Sequence, residues 1–158
     1  MHLREEEQVV KVFHHHPTPF VFDIFKVIAV TFPVFIILLL FEKVLPYKWY
    51  LLAHIVIFTI FGLIIIYVSL LFWMDKLVVT NYRVVHVNWK YLTVHDEAEV
   101  ELNEISDIQT HEKGFLANFW IFDYGTFILA TSSSEIAIKF LDAPNPEGIR
   151  RMVYHIKH

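Results

Sequence analysis

The chain contains no cysteine and only four glycines. The first absence excludes a disulfide framework, a thiolate metal site and a cysteine nucleophile. Glycine-dependent signatures are missing too: no phosphate-binding loop, no dinucleotide fingerprint and no G-x-S-x-G nucleophile turn is present. No H-E-x-x-H run exists, and the acidic stretch from Asp96 to Glu104 lacks the spacing and central glycine of a calcium loop. There is no basic patch either. From Asp75 onward eight Lys and Arg face twelve Asp and Glu, so the whole net charge of −4 lies in that half. Such a surface does not suit nucleic acid. These absences predict a protein that is not an enzyme and needs no cofactor.

What is abundant is apolar surface. Hydrophobic residues make up 56% of the chain and aromatic residues 16%, against roughly 45–50% apolar in a typical soluble domain. From Trp49 to Met74, 26 consecutive residues carry no Asp, Glu, Lys or Arg, enough at about 1.5 Å per residue to cross a hydrocarbon layer of about 30 Å. Trp49, Tyr50, Tyr67 and Trp73 stand toward its two ends, where amphipathic rings settle at the headgroups. A second run, Val27 to Phe41, reaches spanning length if Lys26 snorkels; Pro33 inside it is tolerated in a membrane helix. The expected spans are about 24–42 and 49–73, within a hairpin over 23–74.

Only Glu42 to Lys48 separate the spans, so both flanks share one side of the membrane. The turn carries Lys43 and Lys48, whereas Arg4, Lys11, Lys26, Lys76, Arg83 and Lys90 lie on the other side. The excess predicts an integral inner- or plasma-membrane protein with both termini cytoplasmic. Glu5, Glu6 and Glu7 occupy the place of a basic n-region, so no cleaved leader is expected. Residues 1–22 read as a juxtamembrane segment.

After Met74 the pattern shortens into β-rich runs. Asp75 to Thr80 and Arg83 to Trp89 predict two strands joined at Asn81 and Tyr82. Glu97, Glu99 and Glu101 alternate with Ala98, Val100 and Leu102, the mark of a half-buried strand with its carboxylates in water. Further runs at 105–110, 125–131 and 135–141, the last two separated by Ser132 to Ser134, bring the number to at least six. No crossover helix intervenes, so an antiparallel barrel or sandwich is expected over 75–158. The end is an amphipathic helix with Asn145 as N-cap, Pro146 at its first position and Glu147 in its first turn. Ile149, Met152, Val153 and Ile156 form its apolar stripe.

Four features together resemble the bacterial membrane-flanked pleckstrin-homology-like family, the YdbS-like proteins. They are a Glu-rich start running into Lys11 to His16, the helical hairpin, Thr80-Asn81-Tyr82-Arg83-Val84, and Asp123-Tyr124-Gly125-Thr126. The resemblance implies an α+β membrane protein: a partly open barrel of about seven strands, capped by the terminal helix. It implies little about activity, because members of this superfold bind lipids, peptides or proteins.

Candidate sites are few. His14, His15 and His16 could ligate a metal, but neighbouring side chains diverge, and a polar membrane-proximal segment is the simpler reading. His54 and Thr59 lie within the second span, where a neutral imidazole bonded to the other helix suffices. Lys76, Arg83 and Lys90 are the candidates for contact with a lipid headgroup. Phe115, Phe119, Trp120, Ile121, Phe122 and Tyr124 form an apolar stretch that suits docking, bilayer contact or plain core packing. The leading expectation is a non-catalytic, membrane-anchored module that binds a protein partner or assembles with copies of itself. The alternatives are an anionic lipid-headgroup sensor and a small subunit of a membrane enzyme or transporter.

Overall fold

In the computed structural model, which describes residues 4, 6–112 and 123–157, the chain divides into two units. One is Pro19–Leu70; the other joins Met1–Thr18 to Leu71–His158. The first is helical. Helix α1 covers Pro17–Leu40 and helix α2 Tyr47–Met74, and both are long and apolar enough to cross a membrane. Their few polar side chains are satisfied locally. Thr31, Thr59 and Ser69 each donate to the carbonyl four residues back at 2.7 Å, the usual solution where water is absent. His54 does the same, its Nδ1 lying 3.0 Å from the Tyr50 carbonyl. The imidazole therefore bonds its own helix, not the opposite one as expected.

The second unit is a β domain with seven described strands in two antiparallel sheets, closed by a helix. The first sheet has the order β1-β2-β3-β4, from Val9–His14, Lys76–Thr80, Arg83–Tyr91 and Val94–Glu101. The second has the order β5-β6-β7, from Ile105–Glu112, Tyr124–Thr131 and Ser134–Pro144. The seven strands and the closing helix are as the resemblance implies, but one of the strands lies before the hairpin and not after it. Leu77, Val79, Val84 and Val100 of the first sheet meet Phe127, Leu129, Ile138 and Phe140 of the second in one buried core. Each such side chain contributes about 1.5–3 kcal/mol by leaving water.

Helix α3, Pro146–Lys157, packs on this core through Ile149 and Val153. Its cap is as expected: Asn145 Oδ1 accepts from the Gly148 amide at 2.8 Å. Residue 148 must be glycine for that cap to fit, since a Cβ there would lie 2.9 Å from the Asn145 side chain. At the far end Lys157 donates to the Ile105 carbonyl at 2.7 Å.

The largest departure from the sequence reading is at the N-terminus. The segment read as juxtamembrane over 1–22 is divided between a strand and a helix. Val9, Val10, Val12 and Phe13 are β-branched or aromatic and fill the open edge of β2, with Val12 opposite Val78 and His14 opposite Lys76. Helix α1 then starts at Pro17, seven residues earlier than expected. Proline suits the first helical position, and the His16 Nδ1 accepts from the Thr18 amide at 3.3 Å as a cap. The β domain is thus discontinuous, with a helical hairpin inserted between its first two strands. A fragment starting at residue 75 lacks β1 and leaves the β2 edge bare. We expect it to aggregate, and expect residues 1–16 joined by a short Gly/Ser linker to 75–158 to give a cooperative thermal transition by circular dichroism.

Candidate functional site

Two polar clusters hold the inserted chain together, and both involve residues that precede the hairpin. The first gathers at the chain's passages between sheet and helices. His15 follows β1, Asp75 follows α2, and His86 sits in β3. The Nε2 atoms of His15 and His86 lie 3.2 and 3.1 Å from the same Asp75 oxygen, Oδ1. His15 Nδ1 donates to the Leu141 carbonyl at 2.6 Å. Its ring stacks on Phe140 at 4.6 Å between centroids, and His86 meets the same ring edge-on. Both His15 nitrogens therefore face acceptors, a geometry that favours imidazolium.

The energetics agree. Burial is the largest single influence on His15 and opposes its charge, yet the Asp75 hydrogen bond and charge, the Leu141 carbonyl and Asp142 together hold its pKa above the ordinary 6.5. Burial likewise disfavours the Asp75 carboxylate, but the hydrogen bonds and charges of His15 and His86 keep its pKa below the ordinary 3.8. His16 differs: burial lowers its pKa, against Asp123 and Asp142, which suits the lone pair that caps α1.

The second cluster explains two of the sequence motifs at once. Thr80-Asn81-Tyr82-Arg83 is a turn held by the Thr80 hydroxyl, which accepts from the Tyr82 and Arg83 amides at 3.2 and 3.0 Å. Asn81 extends it toward the N-terminal segment. Its Oδ1 accepts from the Gln8 amide at 2.8 Å and its Nδ2 donates to the Glu6 carbonyl at 3.2 Å. Arg83 Nε and Nη2 donate to the two oxygens of Glu7 at 2.9 and 3.0 Å, and Nη1 pairs with Glu99. Thr80 also lies 2.9 Å from Glu7 Oε1. The Glu7 side chain is fully buried. The Arg83 hydrogen bond is the main reason that its pKa falls to about 2, against burial and with help from the Arg4 amide, the Thr80 hydroxyl and the Arg83 charge.

The sequence-derived candidates fall unevenly on this frame. Lys76, Arg83 and Lys90 are not brought together. Lys76 pairs in register with Val87, between the other two, and Lys90 lies seven strand steps beyond Arg83, about 24 Å at 3.4 Å each. Arg83 is engaged by Glu7 and Glu99, and Lys90 pairs with Asp96 at 2.6 Å. Glu97 and Glu99 point outward as expected, Glu99 to meet Arg83. Phe115, Phe119, Trp120, Ile121 and Phe122 lie outside the described residues; Tyr124 stacks on His16 at 5.5 Å. Among the described residues no group of three or more His, Asp or Glu is arranged to hold a metal ion.

Asp75 and His86 escaped the sequence reading because neither carries a motif. Glu7 was visible only as part of a Glu-rich start. A charged residue directly after a membrane-length helix, with a β-branched run before the hairpin, is the signal that could have exposed the junction.

The class that this geometry defines is a two-sheet β domain, of seven strands among the described residues, interrupted by a hairpin of two membrane-length helices. No family model and no curated protein matches the chain. Among solved structures it is similar to the crystal structure of a DUF1696 family protein with a pleckstrin-homology domain from Shewanella loihica PV-4. The identity is 17%, the TM-score 0.41, and the match covers 53% of this chain and 71% of that one.

Removing Arg83 alone strands a buried carboxylate. Arg83→Met should cost about 3–5 kcal/mol, and the double variant Glu7→Leu/Arg83→Leu should recover most of it, as read by thermal unfolding of the full chain in detergent. The His15 cluster sets a separate pH dependence. Its imidazolium contributes stability that is fully present below pH 6.5 and lost as pH rises through the raised folded-state pKa. Asp75 contributes above pH 3.8 and is lost as pH falls through its lowered value. His15→Gln should therefore be less stable than the parent at pH 6, with the difference shrinking as pH rises toward 9.

Proposed function

We propose that the chain is a non-catalytic, membrane-anchored interaction module. The hairpin spans the inner or plasma membrane, and the β domain stands on its cytoplasmic face, where it binds a protein partner or assembles with copies of itself. One observation carries this reading. Helix α2 has no buried residue, and Phe58, Leu63, Ile66 and Trp73 are between 56% and 69% exposed. Apolar surface on that scale needs a solvent other than water, and a bilayer provides it along the length of both helices.

Orientation follows from the lysines and arginines, six flanking the hairpin on the domain side against two in its turn. An interaction role fits a domain in which several of the cations are taken up by acids of the same chain. Arg83, Lys90 and Arg150 all pair with acids of the same chain, which leaves shape and strand edges as the means of recognition. Two open grooves offer such shape. One, about 440 Å3, lies between β1 and α3 and is lined by Lys11, Phe13, Pro144, Asn145, Ile149 and Met152. The other, about 460 Å3, lies by the β2–β3 turn and the end of α3.

Two measurements test this. The protein should stay in the membrane pellet after alkaline carbonate extraction. Affinity purification from gently solubilised native membranes should yield a reproducible partner or a homo-oligomer by native mass spectrometry. A partner-free monomer that retains one anionic lipid class would overturn the interaction reading in favour of headgroup sensing.

A further inference from the structure

The β3–β4 hairpin reaches past the rest of its sheet. Strand β2 begins at Lys76, which pairs with His14 on one side and Val87 on the other. Strand β3 continues through Asn88, Trp89, Lys90 and Tyr91 before it turns at Leu92 and Thr93 into β4. Four residues at about 3.3 Å each make an overhang of about 13 Å beyond the last β2 partner. Its tip is apolar and open: Tyr91 is 61% exposed, Leu92 39% and Val94 46%.

The end of the sheet from which this tip projects is the end where the chain enters and leaves the helices. His14 is three residues from Pro17, the start of α1, and Lys76 is two residues from Met74, the end of α2. At 3.8 Å per residue, both strand ends are tethered within about 11 Å of the helix termini. The second span is expected to end near residue 73, and Lys76 follows it by three residues, so chain length alone keeps the first residue of β2 within about 11 Å of the headgroup layer. The tip also has the composition of an interfacial anchor. Trp89 and Tyr91 carry amphipathic rings, Leu92 and Val94 supply apolar contact, and Lys90 is paired with Asp96 at 2.6 Å.

We propose that the β3–β4 tip, Tyr91, Leu92 and Val94 with Trp89 behind them, inserts into the headgroup region of the membrane that the hairpin spans. This rests on the membrane reading above and adds a third point of attachment, made by the β domain itself. The lysine beside the tip, Lys90, is paired with Asp96, so the contact is with the interface in general rather than with an anionic lipid.

The lack of cysteine makes the test clean. Single substitutions Leu92→Cys, Tyr91→Cys, Glu104→Cys and Leu63→Cys in the full chain each accept one environment-sensitive fluorophore. Glu104 lies in the β4–β5 turn at the opposite end of β4, and Leu63 lies mid-way along α2. The labelled proteins are reconstituted in phosphatidylcholine vesicles with and without lipids bearing a spin-label quencher at shallow or deep positions. Labels at 91 and 92 should be quenched by shallow quenchers roughly twofold or more above the label at 104, and adding anionic lipid should not change this. Labels at 91 and 92 that match 104 while 63 is quenched by deep quenchers would overturn the proposal and leave the membrane reading standing. If 63 is not quenched either, both fall.

Discussion

The buried contact between Glu7 and Arg83 is the constraint on which the rest of the β domain depends. It joins a residue before the helical hairpin to one after it, so it holds only if the chain returns from its helices to where it left. A buried carboxylate is costly unless it is paired and hydrogen-bonded. Here both oxygens are bound by one guanidinium, and the Thr80 hydroxyl and the Arg4 amide complete the set. The arrangement specifies the placement of β1 more than it adds net stability. A slip of one residue would turn Phe13 out of the core and leave the carboxylate unpaired.

The His15–Asp75–His86 cluster acts at the other end of the same strand pair. Glu7 sits by the β2–β3 turn, and His15 sits where the chain turns into α1. Together they fix β1 along its length, one at each end. The backbone bond from the His16 amide to the Asp142 carbonyl, 2.8 Å, extends the attachment to the second sheet. Everything after this point, from the shared core of Phe127 and Phe140 to the cap of α3, is a conventional two-sheet domain.

Most of this architecture could be read from the residues. The alternation at Glu97 to Leu102 and the capping signals at Asn145 and Pro146 work because each depends on neighbours in sequence. The end of α2 was legible for the same reason, within one residue of expectation, whereas α1 begins seven residues before the expected span. What could not be read depends on contacts over 60 to 130 residues. Val9–His14 is at least as long as β2, but it has no neighbouring strand in sequence, and its partner β2 lies beyond both helices. Glu7 has no local reason to be buried, and His15 gains its significance only from Asp75, Leu141 and His86. The three histidines read as one polar run, yet they divide in role: His15 bonds Asp75 and the Leu141 carbonyl, His16 caps a helix, and His14 ends a strand near Trp73. Lys76, Arg83 and Lys90 looked like one group because they are close in sequence, whereas strand geometry spreads them along a sheet.

The chain leaves the β domain after β1 and rejoins it at β2, so the helical hairpin is joined to the domain through two neighbouring, paired strands. The central claim is that the strand before the hairpin belongs to the folded domain after it. Native-state hydrogen exchange on the full chain in lipid nanodiscs tests this directly. The amides of Val9–His14 that pair with β2 should exchange as slowly as those of Leu77–Thr80, through the same cooperative opening. Rapid exchange across Val9–His14, with β2 and β3 still protected, would contradict it.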